Sequence, residues 1–484
     1  MRKLFVLVST GSLLFVSTFV RSQNETDALR YSMTNFGGTA RYMSMGGAFG
    51  SIGADMSCLS ANPAGIGLYH KNELTFTPSL YSQKATAVYN GTTSIDTKYN
   101  MRINDFGMVF AGKSDNTSST GWQNISMGFA FNRTNTFQSE SYMAGNSATS
   151  MMDSWKKTAG GSLPGDLDGF NEGLAWNAYL LNQTPSNPTA YTDTIPDGDT
   201  LVQEKTISMK GGMSEWTFAA GGNYSNKFYI GASVGIPQVR YSEYDVYDER
   251  ELHDSVSVFD EYQFVNSLAT SGKGFNFKFG MIYRPADFVR VGISYQTPTI
   301  LRLSDSYSSS ITSYFTNNTW VAQSPSGTFN YRIITPMRTS TSLAFIIGKL
   351  AMIGGEMEVV NYADASIRST GYNFAAANAA IGAKYTLGVN TKFGAEFRML
   401  PMIFRVGYTN YSSPYKPTVN NNASKNYYTF GLGYRDKDDA FFADLGFVVN
   451  TQKSNYYFYD QSLVNPVANT FKALDVVLTV GFRY

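Results

Sequence analysis

The sequence predicts an all-β fold, a closed antiparallel transmembrane β-barrel of about fourteen strands, from three observations. The first is the final strand. Leu474, Val476, Leu478, Val480, Phe482 and Tyr484 fall on one face; Asp475, Val477, Thr479, Gly481 and Arg483 fall on the other. Side chains alternate across a strand, so one face is apolar and the other mostly polar or small. The stretch has the length of about ten residues that crosses a bilayer at a tilt. The second observation is composition. Charged residues are 15 % of the chain and aromatic residues 15 %, against roughly 25 % charged in soluble domains. A mean hydropathy of −0.21 is too polar for a bundle of membrane helices but suits strands with one watered face. The third is the N-terminus. Arg2 and Lys3 precede a largely apolar stretch, Leu4 to Val20, and Val20-Arg21-Ser22 resembles a small-residue cleavage site. Residues 1–22 therefore read as an export signal, with Gln23 as the first mature residue.

Alternation places strands at about 73–89, 101–112, 122–138, 213–223, 227–248, 272–284, 287–302, 336–349, 351–368, 379–388, 391–410, 425–435, 440–458 and 471–484. Residues 73–484 thus form the barrel. In lipid every backbone donor and acceptor must be satisfied within the protein, so such a sheet has to close. Short turns, such as Asn223-Tyr224-Ser225-Asn226 and Arg284-Pro285-Ala286-Asp287, alternate with longer connections. Bacterial outer-membrane barrels show this asymmetry, with short turns in the periplasm and long loops outside. An apolar last strand ending in an aromatic residue also resembles the signal read by the outer-membrane barrel assembly machinery.

The strand at 391–410 changes phase. Phe393, Ala395, Phe397 and Met399 point one way; after Pro401 the outward set becomes Met402, Phe404, Val406 and Tyr408. A proline cannot donate to a ladder, so Leu400-Pro401 is expected to mark a bulge. Glu396, Arg398 and Arg405 would then face inward, either pairing with one another or anchoring a ligand carboxylate.

Two insertions stand out, 139–212 and the Ser/Thr-rich 303–335. Within the first, Ser150 to Thr158 and Phe170 to Asn182 read as short amphipathic helices. Trp176, Leu180 and Leu181 would form an apolar face, serving either as a first docking surface for a hydrophobic ligand or as a lid packed onto the barrel.

Residues 23–72 do not read as wall strands. They are rich in glycine and in Met43, Met45, Phe49, Ile52, Met56, Leu59 and Ile66, too apolar for a disordered tail. Such a segment can fold inside the barrel as a plug. Gly46-Gly47-Ala48-Phe49-Gly50 does not have the spacing of a phosphate-binding loop. The single cysteine, Cys58, reads as a small buried residue and leaves no cysteine cluster for zinc. With 38 basic and 37 acidic residues and no basic block, nucleic acid is not an expected partner. The two histidines, His70 and His253, sit near no recognisable serine motif, so no catalytic residue, metal or cofactor is expected.

Gly46-Gly47-Ala48-Phe49 followed by Asn62-Pro63-Ala64-Gly65 resembles the hatch of the FadL family of outer-membrane transporters for long-chain fatty acids and other hydrophobic compounds. Val291-Gly292-Ile293-Ser294-Tyr295, Gly394-Ala395-Glu396-Phe397-Arg398, Arg405-Val406-Gly407-Tyr408 and Gly431-Leu432-Gly433-Tyr434-Arg435 look like that family's later strands. The resemblance implies a fourteen-stranded barrel in the outer membrane of a Gram-negative bacterium, plugged by its N-terminal hatch. It implies capture of a fatty-acid-like ligand at the outer loops and lateral release into outer-membrane lipid through a gap beside a kinked strand. By position that kink falls on strand three, around Gly128. Asn62, Pro63 and Ala64 would be the hatch element that moves, or else only a tight turn. Some relatives serve secretion systems, so a surface-protein docking role is the alternative.

Overall fold

The structure, a computed structural model, describes residues 24–113, 120–195, 200–252 and 258–484. The expected export signal and His253 lie outside them. Fourteen wall strands make one closed antiparallel sheet. They are β1 Glu73–Tyr89, β2 Thr92–Lys113, β3 Trp122–Thr136 (resumed at Ser139–Ser147), β4 Leu201–Tyr224, β5 Phe228–Glu251 and β6 Phe259–Ala286. Next come β7 Val289–Gln296 (resumed at Ile300–Phe315), β8 Gly327–Ile334 (resumed at Arg338–Ile347) and β9 Ala351–Asn361 (resumed at Ser366–Arg368). The wall ends with β10 Leu387–Met399, β11 Met402–Tyr411, β12 Lys425–Arg435, β13 Phe441–Tyr456 and β14 Val467–Arg483. The first and last strands pair from Glu73↔Arg483 to Val88↔Ala468, which closes the ring.

Outward positions carry an apolar belt. On β6 it is Phe275, Phe277, Phe279, Met281 and Tyr283; on β14, Leu474, Leu478 and Phe482. A contiguous apolar surface of this extent is solvated by hydrocarbon, not water. The belt does not end the strands. Above Phe275 the exposed residues of β6 turn polar (Lys273, Ser271, Ser267, Glu261) while pairing continues up to Phe259. Strands β4 to β8 therefore rise well past the belt at the long-loop end.

That rise corrects both insertions. Residues 139–212 are not free of strand: Ser139–Ser147 pairs with Leu201–Met209. Residues 303–335 are mostly wall, with β7 paired to β8 over Ile300–Tyr307 and a small hairpin, Ile311 to Ala322, above. Apolar alternation marks where a strand meets lipid, so it misses the watered continuation.

Two further corrections cancel in the count. Residues 379–388 are not a strand; the segment AAANAAIGAK forms a helix, Ala375–Lys384, as its alanines favour. Residues 391–410 are not one bulged strand but the hairpin of β10 and β11. Met399 pairs with Met402, leaving Leu400 and Pro401 at the tip. Proline's missing donor costs nothing there.

Residues 24–72 fill the lumen. They form α1 Glu25–Ser32, α2 Ala40–Ser44, α3 Cys58–Ala61 and a 3-10 turn, Pro63–Leu68. Asn24 caps α1 in a reciprocal capping box with Asp27. Cys58 is buried, as expected. The segment's backbone lies directly on the wall, and inward glycines make room for it. A Cβ at Gly231 would collide with the Pro63 carbonyl, at Gly280 with Asn62 Oδ1, at Gly394 with the Met45 carbonyl and at Gly431 with Ser44. Gly231 and Gly280 are cross-strand partners, so the cleft spans adjacent strands.

Candidate functional site

Asn62 ends α3 and starts the 3-10 turn. Its Oδ1 accepts from Ala64 N at 3.1 Å, and its Nδ2 donates to Gly50 O at 2.5 Å and Ile293 O at 3.4 Å. One amide therefore fixes the turn, a neighbouring loop of the same segment, and wall strand β7. Pro63 and Ala64 are buried beside it.

Glu396 is buried and accepts from three guanidiniums: Arg41 Nε at 3.0 Å, Arg398 Nε at 2.7 Å and Arg405 Nε at 2.6 Å. Arg405 continues to Asp444 at 2.7 Å, which also holds Arg435 at 2.9 Å. Glu396, Arg398 and Arg405 thus meet in the lumen as the phase of the strands requires, and they are engaged with one another. Sequence reading missed Arg41, which comes from α2 and ties the luminal segment into the wall's ion network.

The wall has a seam. The β2–β3 ladder stops at Asp105↔Asn132. Above it, β2 pairs only with β1, and β3 only with β4, among the described residues. A register irregularity at Arg133/Asn135 and the break at Phe137-Gln138 turn β3 away. Gly128, expected at the kink, stays in register with Val109 and Ala219; the distortion lies five residues and more beyond it. Across the seam a Lys98–Glu140 ion pair replaces the ladder. On the outer face beside it, Tyr99 is 75 % and Met101 73 % exposed.

Three cavities follow the luminal segment. The uppermost, about 640 Å³, lies over α1 and includes Met143, Ile207, Leu268 and Tyr456. A middle one of about 260 Å³ shares Arg30, Met209 and Phe471 with it and reaches the seam at Arg133 to Ser139. The lowest, about 110 Å³, shares Phe36 and Thr134 with the middle cavity and contains the Glu215–Lys278 ion pair.

No protein-family model and no curated relative matches the chain. Solved structures do. The chain is similar to a FadL homologue of Pseudomonas aeruginosa, with TM-score 0.55 and 11 % identity over 93 % of this chain and 99 % of that one. The toluene transporter TodX of P. putida gives TM-score 0.55 and 12 % identity over 93 % and 99 %. The monoaromatic hydrocarbon channel CymD gives TM-score 0.51 and 12 % identity over 93 % and 98 %. The fold is that of the FadL-type barrels. At these identities the likeness speaks for architecture alone.

Within this FadL-type fold the expected docking residues are placed differently from an exposed apolar face. The helix predicted at Phe170 to Asn182 is shorter, Glu172–Asn177, and Leu181 begins a small hairpin. Leu180 and Leu181 are fully buried, and Trp176 is half-buried edge-on to Tyr191. They belong to a core with Met151, Met152, Trp155, Tyr262 and Phe264. The insertion is thus a packed cap over the barrel mouth. A six-residue helix does not hold an amphipathic face by itself, so its apolar groups collapse onto the nearest apolar wall. The cap is anchored by Glu249, which accepts from Ser150 Oγ, Tyr247 Oη and Gln203 Nε2.

Proposed function

We propose that this protein is an outer-membrane transporter for passive uptake of hydrophobic small molecules such as long-chain fatty acids, with release sideways into the membrane. The observation that carries the reading is the seam between β2 and β3, where a closed wall lacks a ladder beside a cavity. Cargo leaving there moves from a protein cavity to lipid without crossing water. Transfer of apolar surface, about 25 cal/mol per Å², supplies the driving force, and no nucleotide site is needed. The luminal segment acts as a hatch, and the Asn62-Pro63-Ala64 turn is its adjustable part. Among the fold's neighbours, a toluene transporter and a monoaromatic hydrocarbon channel support a hydrophobic class of cargo. The apolar belt supports a place in a Gram-negative outer membrane, with insertion by the barrel assembly machinery.

Uptake of radiolabelled hexadecanoate by a deletion strain carrying the wild-type protein or Lys98→Cys/Glu140→Cys tests this. Bridging the two cysteines with a bis-maleimide is expected to lower uptake at least tenfold, and the uncrosslinked variant to transport. Normal uptake after complete crosslinking, or in the empty deletion strain, would sink the proposal.

A further inference from the structure

On the outer face of the wall, directly above the apolar belt, four cations stand side by side. The upper edge of the belt is Phe275 on β6, which pairs with Ile300 on β7, which pairs in turn with Ile334 on β8. At the next outward position every strand is basic. Lys273 pairs with Arg302, Arg302 with Arg332, and Arg332 with Arg368 on β9. All four side chains are exposed. Neighbouring strands lie about 4.8 Å apart, so the row is about 14 Å long. The pattern climbs onto two further strands. Arg240 on β5 pairs with Ser271, and Lys210 on β4 with Ser242, each one outward step higher, and both are exposed.

Like charges directly opposite one another destabilise a sheet, and alternating acids would relieve the repulsion. This row has none. Its neighbour beyond Lys273 is Gln238. Lys273, Arg302, Arg332 and Arg368 have no ion pair or side-chain hydrogen bond among the described residues. Asp364, just before the Ser366–Arg368 strand, is engaged by Asn361 Nδ2 at 2.8 Å. The counter-charge therefore has to come from outside the chain. Height decides its source. The belt stands at the level of hydrocarbon, and the long-loop end of such barrels faces outward. A row resting on the upper edge of the belt meets the head groups of the outer leaflet.

We propose that Lys273, Arg302, Arg332 and Arg368 form a docking strip for the phosphate groups of an anionic lipid of the outer leaflet. A guanidinium holds phosphate oxygens through paired N–H donors, and a lysine adds a point charge. Clusters of basic side chains at a membrane surface recognise anionic head groups in this way. A row of this length suits a lipid with two phosphates better than one with a single phosphate. The strip goes beyond the transport reading: it depends on the outer-membrane placement and not on any cargo. It holds one side of the barrel, strands away from the β2–β3 seam, at a fixed height in the bilayer.

The test is binding to purified full-length protein in a non-ionic detergent. The probes are lipid A with two phosphates, the same lipid with both phosphates removed, and inorganic phosphate. The phosphorylated lipid is expected to bind at least tenfold more tightly than the dephosphorylated one. Lys273→Gln/Arg302→Gln/Arg332→Gln/Arg368→Gln should bring that ratio to near one. Lys273→Arg/Arg302→Lys/Arg332→Lys/Arg368→Lys, which keeps every charge, should retain it. Equal affinities for the two lipids in the wild type, or a preference that survives the quadruple glutamine variant, would overturn the strip. Inorganic phosphate binding as tightly as the phosphorylated lipid would overturn it too, since the site would then be one for free anions. Each of these failures leaves hexadecanoate uptake, and with it the transport reading, untouched.

Discussion

Removing the carboxylate of Glu396 is the sharpest test of how the luminal segment is held. The cluster holds four cations (Arg41, Arg398, Arg405, Arg435) and three carboxylates (Asp55, Glu396, Asp444). Glu396→Gln makes it four against two, with Arg405 fully buried. Breaking a buried ion pair by deleting one partner costs about 3–5 kcal/mol. At about 1.4 kcal/mol per decade, this is a loss of more than about a hundredfold in the folding equilibrium. Arg398, the most exposed member at 34 %, provides the control; Arg398→Gln should cost under about 1 kcal/mol. Urea titration in lipid vesicles, followed by tryptophan fluorescence, reads both values. Protease cleavage within residues 24–72 reads whether Arg41 has let go. A Glu396→Gln protein within about 1 kcal/mol of wild type, or one whose luminal segment stays protected, would refute the claim that this network seats the segment.

Three more outcomes follow from the geometry. Gly280→Val drives a side chain into Asn62, so hydrogen exchange at residues 62–68 should accelerate while the wall stays folded; unchanged exchange would count against the glycine cleft. Leu180→Ala empties a fully buried position and should destabilise the cap by about 2–5 kcal/mol, seen as protease cleavage within 148–200; a cap as resistant as wild type would contradict its packing. The third concerns Glu249, which lies above the apolar belt. Burial pushes its carboxyl up to about 7 from its ordinary 4.5, against the lowering effect of Ser150, Tyr247 and Gln203. A raised acid binds its proton more tightly when folded, so the cap is most secure at low pH and loses that stabilisation as pH rises from 4.5 towards 7. Hydrogen-exchange protection factors in α4, Met151–Ala159, corrected for the intrinsic rise of exchange with pH, should fall across that window in wild type and stay flat in Glu249→Gln. An inverse or absent pH trend would refute the assignment.

How much was legible in the sequence depends on the range of the forces involved. Period-two alternation is local, so the belt, its inward phase and the start of β1 at Glu73 could be read from neighbouring residues. The same rule failed where its cause was absent. It stopped at the edge of lipid on β6, and it took the alanine-rich 379–388 for a strand and the Leu400-Pro401 turn for a bulge. Glu396, Arg398 and Arg405 were readable as inward because β10 and β11 fix their phase. Arg41 was not, because 355 residues separate it from Glu396. The inward glycines were visible as small residues, but nothing local says that a backbone will lie on them.

A barrel with an apolar belt and a compact apolar segment before it can be read along the chain, since each follows from side-chain pattern over a few residues. Tertiary contacts alone settle that the β2–β3 ladder opens above Asp105, that Leu180 and Leu181 turn inward, and that Arg41 reaches Glu396. Those facts depend on which distant strands become neighbours, and closure of the sheet settles that all at once.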